Sequence, residues 1–488
     1  MLKKILKPLC FVIILAILLI CFVNIFSFKY GDGIYPLKRF YEEKENSMDV
    51  MCFGSSHVFQ NINTGVLWDE YGIADFNLCG SVQPFWNTYY YMKEALKSQQ
   101  PAVMVLDVYG AIQTEDYIDH SRIIKNNFGL KLSKDKIDSV KVSSPQEQWT
   151  DYLLEYPTYH NRYSEISRSD FTGFLGNKSM YENYKGFSVN QASYANKEPA
   201  GFYTNDTEEL TGKAEEYLRK IIELAQENDI PLVMVKSPYP SITQEHQRKY
   251  NRVGETAEEY GVPFLNFNLL YDELGLDFSK DFADTGHLNY LGNIKYTKYL
   301  AEYLKSNYEI PDRRGEKGYQ SYDKMSGICR QQLYNAELKA ITDIGHYVDK
   351  AAQSQDYLVV YNLKGNYKSM TNYDAVKEKL LTAGINLDEA DKDHVWAVQN
   401  GEVIFSGDSA ETFTWHTELG NDNNLMISCS AAEEGKIEVS LNHAQYSTVT
   451  AGLDMFIYDT YTEAYVESGG FALSGNKLSY GKTVKAVE

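Results

Sequence analysis

Six cysteines in 488 residues are too few to build a disulfide scaffold. No two of them stand in the C-x-x-C spacing of a zinc site, so no structural metal is expected. Positive charge is short as well: 47 Lys and Arg face 67 Asp and Glu, a formal charge of −20. With no Lys/Arg cluster to track phosphates, nucleic acid is not an expected partner. Aromatic residues are the opposite case, with 40 tyrosines in the chain. Such rings serve wet, carbohydrate-facing surfaces as well as ordinary cores and loops. The length allows two or three domains.

Three lysines within Met1–Lys7 precede an apolar run from Pro8 to Phe28. About 20 apolar residues cross a bilayer as a helix. The lysines ahead of the run predict the N-terminus inside and the remaining chain outside. Residues 1–28 therefore read as an uncleaved signal anchor, giving a single-pass cell-membrane protein whose later domains are extracytoplasmic. A cleaved signal peptide is the rival, although bulky Phe22-Val23-Asn24-Ile25-Phe26 offers no small-x-small cleavage site.

Residues 29–310 carry the alternation of an α/β domain. Met48–Phe53 and Ala74–Cys79 read as strands, and a helix follows from about Phe85 to Ser98. Ala102–Leu106 is a continuous apolar run, the mark of a parallel strand covered on both faces. Residues 111–207 break the pattern: they are polar, tyrosine-rich and poorly periodic, a length that suits a functional cap or lid. Order returns with an amphipathic helix over Glu208–Asp229, a strand over Ile230–Val235, a helix over Gln244–Tyr260 and a strand over Val262–Phe267. A last helix runs to about Tyr308. Such a parallel sandwich places its site at the carboxyl ends of its strands.

The chemistry is concentrated at two of those ends. The first strand stops in Gly54-Ser55-Ser56-His57, which delivers a hydroxyl to a helix start, where free N–H groups and the dipole favour negative charge. Just before the last helix stands Asp284-Thr285-Gly286-His287. The spacing lets Asp284 fix the His287 tautomer, and His287 can then take the proton of Ser56. Ser55 as the nucleophile remains an alternative register. His57 either faces substrate or packs against the first helix. Lys236, at a strand's carboxyl end, is either near the mouth or a surface lysine whose stem lies along apolar surface. Cys52 and Cys79 end neighbouring strands as buried thiols or as a disulfide outside the cell.

Over residues 45–310 these blocks resemble the SGNH (GDSL-like) hydrolase superfamily. Phe53-Gly54-Ser55-Ser56 stands where that family has Gly-Asp-Ser, Gly80 matches its second block, and Asp284-x-x-His287 its last. The resemblance implies a flavodoxin-like parallel-sheet fold, a Ser56–His287–Asp284 triad, and an oxyanion hole from the backbone N–H groups of Ser56 and Gly80. It implies no cofactor. The third block, Gly-x-Asn-Asp, is missing, and Asp107-Val108-Tyr109 occupies that strand end. The membrane anchor, the Gly-Ser-Ser variant and the long insertion resemble the D-alanine transfer protein of teichoic acids and the alginate O-acetylation proteins. That branch implies an acyl group received on Ser56 beside a multispanning O-acyltransferase and passed to a glycan or polyol hydroxyl. His57, Tyr109, His160, Arg162 and Lys236 are then the candidate substrate contacts, with Pro157–Tyr163 and Tyr184–Phe187 taken as groups for an acceptor-binding lid and an ordinary surface loop as the commoner reading of any one of their residues.

Residues 311–335 are polar and rich in Gly, Tyr and Lys, as a linker is. Beyond them, 336–488 read as a β-rich α+β module. His394–Val398 and Glu402–Phe405 flank Asn400-Gly401, a strong hairpin signal. Gly452–Asp459 with Val466-Glu467-Ser468 resembles the interleukin-like EMT inducer (ILEI) domain, which implies a glycan-holding role. Trp396, Trp415, Tyr446 and Tyr461 are candidate sugar-stacking rings, with the core as the commoner home of each. Three functions are consistent with the whole: transfer of an acyl (acetyl) group onto a cell-envelope glycan, removal of such groups by the same triad, or a non-catalytic glycan-binding scaffold.

Overall fold

A computed structural model of the chain describes residues 2–167, 170–171, 184–371, 373–390, 392–420, 423–432, 435–473 and 483–486. The protein is mixed α/β. It divides into two compact units, Met1–Cys329 and Arg330–Glu488.

The first unit is organised by five parallel strands: β1 (Val50–Gly54), β2 (Asp75–Cys79), β3 (Val103–Asp107), β4 (Leu232–Lys236) and β5 (Phe264–Asn266). Their order is β2-β1-β3-β4-β5. The first four are buried along their whole length. Within each apolar run the residues still alternate. Met51, Phe53, Phe76, Leu78, Met104, Leu106 and Met234 face the helices Phe85–Ala95, Gly212–Glu227 and Gln244–Tyr260. Val50, Cys52, Val103, Val105, Val233 and Val235 face the layer holding Tyr290–Asn307. Each strand thus belongs to two cores, which explains why the sequence shows an unbroken apolar run rather than alternation. Cys52 and Cys79 are both free and buried. The register pairs Cys52 with Asn77, and Cys79 with Gly54, so the two thiols are not cross-strand partners.

Short helical pieces are expected in the 111–207 insertion, as at Trp149–Tyr156; the structure has a helix at Trp149–Leu154 and adds helices His120–Asn127 and Lys134–Ser143 and a 3-10 helix Tyr156–Glu165. These pack around the exit of the N-terminal helix Leu2–Phe26, burying Phe28, Ile34, Ile123, Phe128 and Tyr152 together with Phe22 and Phe26 at the margin. Arg162, buried, donates to the carbonyls of Ile25 and Ser27 and pairs with Asp170 at 2.7 Å. It binds the helix end, not the strand ends. Among the described residues one helix is long and apolar enough to cross a membrane, and no residue of its 9–26 window is fully buried.

Residues 311–335 do not form an extended spacer. A helix covers Gln320–Ala340, and its Tyr322, Met325 and Cys329 bury against Trp68 and Phe187. The spacing of those three is helical, a signal masked by the polar composition around it.

The second unit is built on two five-stranded antiparallel sheets, β6 (Tyr357–Lys364), β7 (His394–Gln399), β8 (Glu402–Asp408), β13 (Gly452–Asp459) and β14 (Ala464–Ala472) forming one in the order β14-β13-β6-β7-β8. The other comprises β9 (Phe413–Leu419), β10 (Asn423–Ser430), β11 (Lys436–Leu441), β12 (Ala444–Ser447) and β15 (Thr483–Ala486). A shared apolar layer joins them, with Val360, Ala397 and Phe456 from the first and Ile427, Val439 and Leu441 from the second. Helices Ile344–Gln353 and Tyr373–Thr382 cover the other face of the first sheet. The expected hairpin at Asn400-Gly401 joins β7 to β8. Trp396 is buried, Trp415 stacks on Phe405 and Tyr446 packs against Phe456, which leaves Tyr461 as the exposed ring of the four candidates.

Asp75 opens β2 fully buried, and neither carboxylate oxygen has a hydrogen-bond partner among the described residues. Burial pushes its pKa well up, with the Lys185 charge acting the other way. A carboxyl whose folded pKa is raised binds its proton more tightly folded than unfolded. The fold therefore loses stability as pH climbs above the unfolded value of about 3.9. Asp75→Asn removes that loss. Its stability advantage over wild type, read from denaturant midpoints, is expected to widen as pH rises above about 4, with a slope of at most about 1.4 kcal/mol per pH unit.

Candidate active site

The strand order makes the site. In β2-β1-β3 the chain leaves β1 toward opposite sides, opening a crevice at the carboxyl end of β1. Gly54 occupies that end with φ +142°, and a Cβ there would meet the Asp107 carbonyl of β3 at 2.9 Å. Glycine alone lets β1 turn so tightly against β3. The turn hands the chain to helix Ser56–Asn61, whose N-cap is Ser55. The Ser55 hydroxyl accepts from the His57 N–H at 3.4 Å and is buried, which separates the two serines: Ser55 caps, and Ser56 points into the crevice.

Ser56 Oγ lies 2.8 Å from His287 Nε2. On the other side of the ring, Nδ1 is 3.0 Å from both oxygens of Asp284. Asp284 Oδ1 also accepts from the backbone N–H groups of Gly286 and His287, at 2.6 and 2.9 Å. Burial raises the Asp284 pKa, but the hydrogen bonds and charge of His287 outweigh it and hold the carboxyl below its usual range. A carboxylate so held keeps the Nδ1–H tautomer, leaving the Nε2 lone pair for the serine proton. The aspartate side chain is half-exposed and the histidine one-fifth exposed, so water reaches the outer rim of the site.

The Asp-His loop is held by the irregular end of the insertion, which the sequence did not reveal. Asn196 donates to the Asp284 carbonyl at 2.9 Å, and the Tyr194 N–H donates to the Phe282 carbonyl at 2.8 Å. The Ser241 hydroxyl donates to the Thr285 carbonyl. At the helix side, Leu288 N–H donates to the Asn61 side chain, tying the loop to the serine's own helix. None of these asparagines and serines stands in a periodic or motif context, so no sequence signal marked them.

The other candidates separate into two groups. His57, Tyr109 and Lys236 are brought to the site. The Lys236 ammonium lies 3.1 Å from His57 Nδ1, the Tyr109 ring stacks on His57 at 4.5 Å between centroids, and the His57 and His287 rings are 5.3 Å apart. Tyr239, unremarked in the sequence, packs edge-on against His57 and Tyr109. Gly80 follows Cys79, the register partner of Gly54, so it borders the Ser55-Ser56 turn. A Cβ on it would fall 2.2 Å from Asn126 Oδ1. Arg162 sits at the N-terminal helix as described, and the His160 side chain lies outside the described residues. Lys185 is also elsewhere: it is buried against Glu43, with both contacts at 2.7 Å, and its carbonyl accepts from Asn77. Tyr184–Phe187 therefore straps the edge of β2 rather than covering the crevice. Asp107 accepts from Tyr109 N–H, Ser237 N–H and the Ser237 hydroxyl, which fixes it as a brace between β3 and β4.

Gly54→Ala is expected to cost about 1–3 kcal/mol through the strained φ and the contact with Asp107. The same substitution should displace Ser56 and slow its reaction with an activated ester. Thermal unfolding and intact-mass labelling of the one variant read both effects.

No protein-family model matches the chain, and no curated protein sequence matches it. Among solved structures, a proposed lipolytic protein of the G-D-S-L family from Desulfitobacterium hafniense is similar to it at 12% identity and TM-score 0.27, over 53% of this chain and 99% of that one. A proposed acylhydrolase from Bacteroides fragilis is similar at 10% identity and TM-score 0.29, over 57% of this chain and 99% of that one. At these scores the site is read from its own geometry: a serine, a histidine and an aspartate in hydrogen-bonded series at the carboxyl end of a parallel sheet.

Proposed function

We propose that this chain is a serine-dependent acyltransferase of SGNH type, with a flavodoxin-like catalytic sandwich, acting outside the membrane on a cell-envelope glycan. The observation that carries the proposal is the 2.8 Å contact between Ser56 Oγ and His287 Nε2, with Asp284 on the far side of the same ring. In this reading Ser56 receives an acyl group, most simply acetyl, as an ester. His287 takes the serine proton and gives it to the leaving group, and Asp284 stabilises the imidazolium that forms between the two events. A sugar or polyol hydroxyl then attacks the acyl-serine, losing its proton to His287. Backbone N–H groups of Ser56 and Gly80 are the proposed oxyanion donors.

The unburied apolar helix at Leu9–Phe26 supports a membrane anchor, and a donor supplied by a multispanning O-acyltransferase fits that setting. The second unit, proposed as an ILEI-like glycan holder, offers Tyr461 as its exposed ring. A second reading, hydrolysis of the same acyl groups, is favoured by the half-exposed Asp284 at the rim, where water has access.

Full-length protein treated with an activated acetyl ester should gain one acetyl mass on Ser56. Ser56→Ala should gain none, and His287→Ala should slow the gain by roughly 10³-fold or more. Labelling that persists in Ser56→Ala would sink the proposal. Adding an oligosaccharide distinguishes the two readings: acetylated sugar indicates transfer, while free acetate at an unchanged rate indicates hydrolysis. For the sidedness, protease added to intact cells is expected to remove the domains beyond Phe28; full protection would place them inside.

A further inference from the structure

The Ser56–His287–Asp284 relay makes no use of His57, yet His57 is buried beside it with an uncommon partner. Its Nδ1 lies 3.1 Å from the Lys236 ammonium, which also donates to the Ser237 carbonyl at 2.8 Å. Lys236 is itself fully buried, and among the described residues its hydrogen-bond partners are the His57 ring and the Ser237 carbonyl, with no carboxylate. An ammonium has only donors to offer. The ring nitrogen facing it must therefore be the one with the lone pair, and the single ring proton must sit on Nε2. Protonating the ring would set two cations against each other out of water. Burial, the Lys236 charge and the neighbouring His287 together push the His57 pKa well below its ordinary value.

The Nε2–H so fixed has no partner among the described residues. The ring that carries it stacks on Tyr109 at the end of β3, and its centre lies 5.3 Å from that of His287, the base bonded to Ser56. A neutral donor of fixed tautomer without a partner, one ring away from the base bonded to Ser56, is what a developing oxyanion requires.

We infer that His57 donates its Nε2–H to the oxyanion of the tetrahedral acyl intermediate on Ser56, and that Lys236 is a positioning residue that fixes the His57 tautomer. The inference rests on the serine acyl-transfer reading above. As the Ser56 Oγ–carbon bond forms, the serine proton passes to His287 Nε2 and the carbonyl π pair moves onto oxygen. His57 donates a hydrogen bond to that oxygen and keeps its proton. Collapse restores the carbonyl and breaks the bond to the leaving alcohol, which takes the proton from His287. With its lone pair engaged by Lys236, His57 does not compete with His287 for the serine proton.

The groups facing the Lys236 ammonium are Asp107 from β3, His57 and His246, and the rings of Tyr109, Tyr239 and Tyr250 at 5.2–5.7 Å. Burial lowers its pKa to about 8 while Asp107 opposes the shift, so the ammonium form that locks the tautomer prevails at neutral pH.

The test uses the full chain in detergent at pH 7 with p-nitrophenyl acetate. Nitrophenolate release and intact mass give the Ser56 acylation rate, and ¹⁵N-histidine NMR gives the His57 tautomer. His57→Leu is expected to slow acylation about 10²-fold with little change in KM. His57→Gln, whose amide can donate, should recover part of that loss. Lys236→Met should turn a pure Nε2–H signature into a mixture of ring forms and slow acylation about tenfold. An acylation rate for His57→Leu within threefold of wild type overturns the inference while leaving the acyl-serine reading intact. Absence of any adduct in wild type removes that reading, and this inference with it. Should His57→Leu fail to fold, the wild-type spectrum decides, and an Nδ1–H tautomer there overturns the proposal.

Discussion

The contact between β1 and β3 at Gly54 is the constraint on which the site depends. The two strands approach so closely that the Asp107 carbonyl leaves no room for a Cβ. That approach forces a left-handed turn, the turn starts the helix at Ser56, and the helix start aims the serine across the crevice at His287. The same strand end supplies Asp107 as the brace to Ser237 and Tyr109 as the platform under His57. One steric condition therefore places Ser56, Asp107 and Tyr109 together. Because β1 is buried on both faces, the turn cannot relax by moving the strand without disturbing two cores.

The insertion divides its work between two ends of the first unit. Its helical part grips the exit of the N-terminal helix through Arg162, Asp170 and Lys29, and its irregular part holds the Asp-His loop through Tyr194 and Asn196. A segment that reads as one long lid is structurally two braces. The Asp284–His287 loop is thereby hydrogen-bonded along its outer edge, and Asp284 lies 3.0 Å from the His287 ring nitrogen. The Asp284 side chain stays half-exposed, so the site is open to water along that rim.

Much of this was legible in the chain. Continuous apolar runs marked the central strands because burial on two faces removes any need for polar alternation. Gly54-Ser55-Ser56 and Asp284-x-x-His287 marked the ends of the relay because each needs specific residues at fixed local spacing. Asn400-Gly401 marked its hairpin for the same local reason. Less was legible wherever the partner is distant in sequence. The polar tract before Arg330 looked like a linker, although Tyr322, Met325 and Cys329 carry a helical stripe whose purpose appears only against Trp68. Arg162 reads as a candidate substrate contact and Lys185 as part of a lid segment, and both are buried counter-charges within the fold.

Local sequence sufficed for the strands, the turn at Gly54, and the short-range pair of Asp284 and His287, since each follows from the conformational or hydrogen-bonding limits of neighbouring residues. Tertiary structure decided which serine faces the base, that Lys236 meets His57 across 179 positions, and that Asn196 holds the Asp284 loop. The physical reason is the same in each case. A hydroxyl, an amine or an amide has no preferred partner until burial removes water as the competitor, and burial is fixed by the packing of the whole sheet rather than by any local run of residues.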